Sequence, residues 1–163
     1  MKSRRCKWDI IGLSGTQIKE KSIEILPSGH KLFNSGNEVS RSNGTGFLVH
    51  KSTTHLISDY KDISDRLALL SLQGKDNKIV FIQAYFPTSD HPDEEVESLY
   101  SQVQELIDKI PKRDFVFVMG DFNARIGGLH SIYPQCIGKH NIGQHNERGE
   151  RLASFCMANN YCF

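Results

Sequence analysis

A short apolar run that ends in two polar side chains constrains this chain more than any other feature. Phe115-Val116-Phe117-Val118 is followed directly by Met119-Gly120-Asp121-Phe122-Asn123-Ala124. The run is too apolar for a surface loop, and it has the residue types of a buried strand. Asp121 and Asn123 are two residues apart, so on extended chain their side chains point to the same face. The pattern predicts a carboxylate and a carboxamide at the mouth of a central strand, where they can hold a water or a metal against a phosphodiester.

The residues before this strand predict a crossover connection. Residues 93–110 carry apolar side chains at helical spacing, with a proline at either end. Residues 79–85 precede this helix and indicate a second buried strand. A strand–helix–strand order permits two parallel neighbours whose carboxyl ends lie near each other. Tyr85 is therefore expected beside Asp121 and Asn123.

Further strands and one more helix are predicted around this crossover. The strand candidates are residues 8–13, 46–49 and 67–72, and the second helix is Glu147–Asn159 with Asn146 as its N-cap. Asn43-Gly44 predicts a tight hairpin turn, and residues 74–77 predict another. Residues 19–46 are otherwise polar and turn-rich. Several strands with a strongly amphipathic helix favour mixed α/β layers.

Length and composition limit the classes of protein that this chain can represent. Its 163 residues are enough for one domain with a real core, so a single domain over residues 1–163 is expected. A net charge of +1 gives no global basic field, so a nucleic-acid partner would need a local binding face. No apolar segment approaches membrane-spanning length, and the first residues lack the apolar core of a signal peptide.

The four cysteines show no Cys-x-x-Cys spacing. They are typical of reduced thiols in an intracellular protein. A zinc site built from Cys136, His140, His145 and Cys156 is an alternative, although its spacing fits no common zinc finger.

Six short motifs occur in order along the chain. They are Trp8-Asp9-Ile10-Ile11-Gly12-Leu13-Ser14, Asn43-Gly44-Thr45-Gly46-Phe47-Leu48-Val49, Ser64-Asp65-Arg66, Ala84-Tyr85-Phe86-Pro87-Thr88, Gly120-Asp121-Phe122-Asn123-Ala124 and Asn146-Glu147-Arg148-Gly149-Glu150-Arg151-Leu152. Together they resemble the endonuclease/exonuclease/phosphatase superfamily, in particular the apurinic-type endonuclease domains of non-LTR retrotransposons and their domesticated relatives. The resemblance covers nearly the whole chain. It implies a four-layer α/β sandwich and magnesium-dependent cleavage of a DNA phosphodiester.

The resemblance also implies roles for individual residues. Asp121 corresponds to the carboxylate that activates the attacking water, and Asn123 corresponds to its partner on a phosphate oxygen or on Mg²⁺, a cation that takes oxygen ligands. Tyr85 corresponds to the tyrosine that contacts the phosphate or orients the nucleophile, and Arg41 and Asn43 are expected near DNA. Simpler structural roles remain open for all of them: an Asx turn that ends the strand, a core aromatic with its hydroxyl at the rim, and a plain hairpin.

The chain departs from the family pattern at its metal site. The family has a glutamate in a Ser-Glu-Thr-like sequence as the principal magnesium ligand, whereas this chain reads Ser14-Gly15-Thr16. Gly15 has no side chain to coordinate a metal, and Glu20 is a poor spatial substitute five residues further along. The family's asparagine on a preceding strand and its closing Asp-His pair have no counterpart in these 163 residues. The resemblance therefore implies a partial, impaired domain, truncated at both ends.

Three functional hypotheses follow from these residues. The first is an impaired relative of a DNA endonuclease, and the second is a domesticated interaction module that kept the fold without the chemistry. A phosphatase acting on small molecules agrees least with the retroelement-like motifs. Open strand edges predict a completing segment or self-association as the partner. Retroelement ancestry indicates a nuclear protein, although the sequence has no clear basic import cluster.

Overall fold

Four antiparallel strands form the first of two sheets. They are β1 (Ile10–Ser14), β2 (Ser22–Ile25), β3 (Lys31–Ser35) and β4 (Thr45–Val49). The computed structural model describes residues 7–37 and 43–162, and the strand order in this sheet is β1-β4-β3-β2. Sequence patterning missed both β2 and β3, because residues 19–46 are mostly polar and were expected to form turns. Strand β2 lies at the edge of its sheet, where 57% of Ile23 and 78% of Ile25 are exposed.

The predicted tight turn at Asn43-Gly44 is wrong. Strand β3 ends at Ser35 and β4 begins at Thr45, so Asn43 and Gly44 are not a two-residue loop between these strands. The main-chain N–H of Gly44 donates to the Asp65 carbonyl oxygen at 2.9 Å, and the Asn43 amide donates to the Asp65 carboxylate at 2.9 Å. These long-range bonds hold Asn43 and Gly44 against Asp65 instead of closing a two-residue hairpin. Arg41 lies outside the described residues.

A second sheet contains the strands that carry the candidate site. They are β5 (Ile57–Ser64), β6 (Leu67–Gln73), β7 (Lys78–Tyr85) and β8 (Phe115–Asp121), in the order β5-β6-β7-β8. The predicted hairpin at residues 74–77 is confirmed, since Gln73 pairs with Lys78 and the Gly74 N–H donates to the Asn77 carbonyl oxygen at 3.0 Å. Patterning missed β5, which alternates between half-buried and exposed residues and carries few apolar side chains.

Strands β7 and β8 are neighbours connected through the helix α1 (Asp93–Lys109). At their beginnings, the Lys78 N–H donates to the Asp114 carboxylate at 2.9 Å. Near their ends, Gly120 approaches Ala84 so closely that a β-carbon on Gly120 would lie 1.8 Å from the Ala84 carbonyl oxygen. The contacting residues advance together along both strands, so the two strands are parallel, as the crossover pattern predicted.

The principal core lies between the two sheets. Phe33, Phe47 and Val49 of the first sheet pack with Ala68 and Leu70 of the second, and these residues are at most 1% exposed. They alternate along β3, β4 and β6 in the way that a half-buried strand requires. On the opposite face of the second sheet, Leu106 of α1 and Ile110, which follows the helix, help to line a cavity of about 300 Å³. The mixed α/β sandwich predicted from the sequence is confirmed.

The prediction that residues 115–119 form a central strand is wrong. Strand β8 is the last strand of its sheet among the described residues, and 58% of Phe115 and 53% of Phe117 are exposed. The apolar sequence of β8 indicates that the strand prefers burial, but the surrounding elements decide whether it is buried. Among the described residues no strand pairs with the outer edge of β8, and its phenylalanine side chains are partly exposed to solvent.

The chain divides into two compact units, which are described separately. The first comprises the described residues up to Phe86 together with Ser101–Gly120, and the second comprises Pro87–Tyr100 and the described residues from Asp121 onward. In the second unit, helix α2 (Glu147–Asn159) has the predicted bounds. The Tyr100 and Phe155 rings pack with their centroids 5.0 Å apart. Neither α1 nor α2 combines the length and hydropathy that a transmembrane helix requires.

Candidate functional site

Tyr85 and Gly15 lie side by side in the first unit, although 70 residues separate them in sequence. Tyr85 is the last residue of β7, and Gly15 follows the last residue of β1. A β-carbon at position 15 would lie 3.8 Å from the Tyr85 hydroxyl oxygen, which is an ordinary van der Waals distance. The position where the family pattern has a carboxylate therefore faces the candidate tyrosine, and a side chain there would have room.

Arg66 holds Tyr85 in place through three interactions. Its guanidinium donates to the Tyr85 carbonyl oxygen at 3.3 Å and lies 5.4 Å from the centre of the Tyr85 ring. The Tyr85 N–H donates to the Arg66 carbonyl oxygen at 2.9 Å. Arg66 therefore positions Tyr85 and brings a positive charge to its ring.

A buried polar pair supports the same strand ends. Gln83 is 1% exposed, and its amide nitrogen donates to the Ser14 hydroxyl at 2.8 Å. The Ser14 hydroxyl in turn donates to the Ala84 carbonyl oxygen at 3.4 Å. The Gln83 carbonyl oxygen is buried without a hydrogen-bond partner among the described residues. A buried amide oxygen without a partner lowers the stability of the fold. The sequence signal for this polar pair was a glutamine within the apolar strand β7, and the sequence analysis did not use it.

Asp121 and Asn123 form a local turn in the second unit. The Asn123 N–H donates to an oxygen of the Asp121 carboxylate at 3.0 Å, and Asn123 has a φ of 46°. This is the Asx turn that the sequence left open as an alternative. The Asp121 side chain remains exposed at the end of β8. The turn engages one carboxylate oxygen, and it gives the Asp121 side chain a defined orientation.

Asn146 ties the residues after this turn to the start of α2. Its side-chain oxygen accepts the Gly149 N–H at 2.9 Å, which confirms the predicted N-cap. The same oxygen accepts the Arg125 N–H at 2.9 Å, and the Asn146 N–H donates back to the Arg125 carbonyl oxygen at 3.2 Å. The motif around Asn146 thus anchors the segment that carries Asp121 and Asn123. The hydrogen bond from Arg125 to Asn146 could not be predicted from local sequence patterns, because it joins residues 21 positions apart.

Arg148, in the same motif as Asn146, has a mostly buried side chain. Its side chain is 15% exposed, it donates to the His91 carbonyl oxygen at 3.0 Å, and it pairs with the Asp93 carboxylate at 3.0 Å. Arg148 therefore joins the start of α2 to the start of α1 within the second unit.

The residues present do not fit a metal site. Among residues 7–37 and 43–162, no three His, Cys, Asp or Glu side chains come together in a way that can hold a metal ion. The zinc alternative fails because Cys136 and Cys156 are buried, while the His145 ring contacts the Gly127 carbonyl oxygen and Glu150. Binding of magnesium to Asp121 and Asn123 stays a prediction, and at position 15, where the resemblance implies a further carboxylate ligand, this chain has glycine.

The predicted site residues belong to different units. Tyr85, Gly15 and Asn43 are part of the first unit, and Asp121 and Asn123 are part of the second. The expected grouping of Tyr85 with Asp121 and Asn123 therefore stays a prediction.

Comparisons with known proteins agree with the fold. No protein-family model matches the sequence. Craniofacial development protein 2 of Bos taurus is 32% identical over 156 residues, which is 95% of this chain and 26% of that protein. The endonuclease domain of TRAS1, a telomere-specific non-LTR retrotransposon, superimposes with a TM-score of 0.54 and 18% identity, over 79% of this chain and 52% of that domain. D. rerio TDP2 complexed with a single-strand DNA product gives a TM-score of 0.51 at 15% identity, over 76% of this chain and 51% of that one.

These figures show the extent of the likeness. At 15% and 18% identity, the two solved structures establish a shared fold. The chain spans about a quarter of the length of its curated relative and half of each solved chain.

Proposed function

We propose that this chain is an impaired relative of a magnesium-dependent DNA endonuclease. The premise is that it has the fold of the endonuclease/exonuclease/phosphatase superfamily and is a homologue of craniofacial development protein 2 over 95% of its length. The observation that supports the proposal is Gly15. It leaves open space beside the Tyr85 hydroxyl, at the position where the family pattern has its principal magnesium ligand.

The retained residues suit parts of a phosphodiester hydrolysis. Asp121 is the group that would take a proton from an attacking water, and its Asx turn orients the carboxylate. Asn123 and the Tyr85 hydroxyl would donate to phosphate oxygens. In a complete site, magnesium would stabilise the negative charge that develops on these oxygens. Without a carboxylate at position 15, the donors of this chain do not complete that site, so hydrolysis is expected at background.

The test is a plasmid-nicking assay in the presence of magnesium. Removing one preorganised charge-stabilising group typically slows turnover by about 10²- to 10³-fold, so the chain should nick at least 10²-fold more slowly than the TRAS1 endonuclease domain as a positive control. Gly15→Glu should nick at least tenfold faster than the chain itself. Gly15→Ala is the matched control because it carries the same backbone strain, caused by a φ of 67°, without the carboxylate.

Two outcomes would contradict the proposed impairment. The first is robust nicking by the unchanged chain that disappears in Asp121→Ala. The second is equal nicking by Gly15→Glu and Gly15→Ala at a rate well above background, because that result would make the carboxylate irrelevant.

DNA is the partner class that we infer for this fold. The support comes from the TDP2 neighbour, whose structure holds a single-strand DNA product. Asn43 remains a weak candidate for a DNA contact, because its amide already donates to Asp65. Arg41 is retained as a weak candidate on the resemblance alone. With a net charge of +1, any DNA affinity must come from a local surface and should fall steeply with added salt.

A non-catalytic interaction module with the same fold is the second candidate, and the exposed edge of β8 favours it. Phe115 and Phe117 are more than half exposed at the last strand of their sheet. Covering the exposed part of each ring would gain about 1 kcal/mol, and the strand edge offers unpaired backbone groups to another chain. Self-association or a completing segment would cover this edge.

Phe115→Lys is expected to weaken self-association by at least tenfold, because it places a charge on the open β8 edge. Light scattering coupled to size-exclusion chromatography over a hundredfold range of protein concentration would measure it. Ile142→Lys is the matched control, since Ile142 is 95% exposed and lies outside β8. Equal effects of the two substitutions would show that general surface hydrophobicity, and not the β8 edge, drives association.

A further inference from the structure

The second unit contains two buried cysteines, one on α2 and one in the segment before it. Cys136 is 3% exposed, and its sulfur lies 3.8 Å from the Ala153 carbonyl oxygen on α2. Cys156 is 6% exposed and lies three residues further along the same helix. Residues three apart on a helix share a face, so Cys156 lies on the face of α2 that meets the segment around Cys136.

A turn at the end of α2 brings a third cysteine to the same place. Asn160 adopts a left-handed conformation with a φ of 55°, and its N–H donates to the Met157 carbonyl oxygen at 3.4 Å. The Tyr161 N–H donates to the Cys156 carbonyl oxygen at 2.9 Å. This pair of bonds is a Schellman motif. It reverses the chain after α2, so that Cys162 returns toward the segment before the helix.

The reversal places Cys162 next to Cys136. The Cys162 sulfur lies 3.4 Å from the Gln135 carbonyl oxygen. That carbonyl belongs to the peptide bond that leads into Cys136, so standard peptide dimensions put the Cys162 sulfur within about 6 Å of the Cys136 Cα. A disulfide needs the two Cα atoms about 4.4 to 6.8 Å apart, so its formation requires rotation of the side chains and an approach of the segment that carries Cys162.

The environments of the three thiols differ. Cys162 is exposed to solvent, whereas Cys136 and Cys156 are buried. Burial raises the pKa of the Cys136 thiol, and it raises the pKa of Cys156 to about 12. Because Cys162 is the exposed one of these three thiols, it is the one that meets a dissolved oxidant first, and Cys136 is its neighbour. The thiolate is the reactive form, so the raised pKa of Cys156 disfavours its reaction.

We propose that Cys136 and Cys162 form a reversible redox pair, in which a hydroperoxide converts the two thiols into a disulfide. In the first step, the Cys162 sulfur attacks the peroxide, the O–O bond breaks, and a sulfenic acid and one water form when hydrogen peroxide is the oxidant. In the second step, the Cys136 sulfur attacks the sulfenic sulfur, an S–S bond forms, and the hydroxyl leaves as a second water. The two thiols lose two electrons and two protons, and the peroxide is reduced to two waters.

The disulfide would tie the segment after α2 to the segment before it. Such a link removes conformations from the unfolded chain. The oxidised protein should therefore unfold at a temperature roughly 5 to 10 °C higher than the reduced protein.

The test uses the full chain carrying Cys6→Ser, which removes the one cysteine outside the described residues. Purified protein is treated with hydrogen peroxide and digested with trypsin without reduction. Trypsin leaves Cys136 in the peptide 126–139, but it leaves Cys156 and Cys162 together in the peptide 152–163. Adding Cys156→Ser resolves this ambiguity and serves as the matched control, because Cys156 is buried like Cys136 but has no part in the proposed pair.

The expected result is a linked pair of these two peptides in the Cys156→Ser protein, lost on treatment with dithiothreitol. The linked pair, together with the rise in unfolding temperature, should disappear in Cys162→Ser and in Cys136→Ser. A link that forms in the protein carrying Cys6→Ser and Cys162→Ser, which retains Cys156, would overturn the proposal, because it would join Cys136 to Cys156. Oxidation of Cys162 to sulfinic or sulfonic acid without any linked peptide would overturn it as well.

Discussion

Gly120→Ala is expected to destabilise the protein by about 3 to 5 kcal/mol, because an alanine β-carbon has no room at this position. It would lie 1.8 Å from the Ala84 carbonyl oxygen on the neighbouring strand, which is main chain and cannot rotate away. Gly120 also has a φ of 142°, a conformation that side chains disfavour. Relief would require β7 and β8 to separate at the ends that carry Tyr85 and Asp121. Urea unfolding followed by circular dichroism measures the loss.

Gly143→Ala is the matched control for this prediction. Gly143 also has a positive φ, of 95°, but apart from its own chain neighbours no described residue has an atom within 4 Å of the position that its β-carbon would occupy. Backbone strain alone should cost about 1 kcal/mol. Equal losses for the two variants would show that the approach of β8 to β7 contributes nothing beyond the backbone conformation.

Gly149→Ala is expected to cost about 3 kcal/mol for a different reason, since Gly149 has an ordinary helical conformation. A β-carbon there would lie 1.6 Å from the Arg125 carbonyl oxygen, so the peptide at Arg125 crosses directly over the first turn of α2. The substitution would push this segment away and break the two bonds between Arg125 and Asn146. Thermal unfolding and urea titration would both report the loss.

Ser154→Ala is the control within the same helix. Ser154 is exposed, and its hydroxyl donates only to the Glu150 carbonyl oxygen one turn earlier. Alanine is the better helix former, so the change should stay within about 0.5 kcal/mol. A Gly149→Ala variant as stable as Ser154→Ala would mean that the segment at Arg125 is free to move, and that its approach to α2 does not hold the Asp121 turn.

Elements that depend on local signals could be predicted closely. Helix α2 has its predicted bounds because Asn146 caps its first turn and the apolar spacing ends at Asn159. The crossover from β7 to β8 was predictable because two apolar runs flank one amphipathic helix. In contrast, β2, β3 and β5 were missed, since they are short or irregular strands within mostly polar stretches and pair through the backbone. Strand β8 begins at Phe115 as predicted, but it lies at the edge of its sheet and not at the centre. Its position could not be predicted locally, because the exposure of a strand depends on the elements that pack against it.

The candidate site could be predicted only in part. The family pattern pointed to Asp121, Asn123 and Tyr85 and to the missing carboxylate at position 15. It did not predict that Arg66 holds Tyr85, that Arg148 is paired with Asp93, or that Asn146 binds Arg125. Each of these interactions joins residues far apart in sequence, and neither spacing nor composition records such contacts.

The sequence by itself determined the chemistry available to this protein: a glycine at position 15, a carboxylate at Asp121 and a helix capped by Asn146. Only the tertiary structure decided where these groups lie. It set Gly15 beside the Tyr85 hydroxyl, exposed Phe115 on an open strand edge and returned Cys162 to Cys136. The physical reason is that residue types and local periodicity specify strands and helices, whereas packing between distant segments determines which side chains meet.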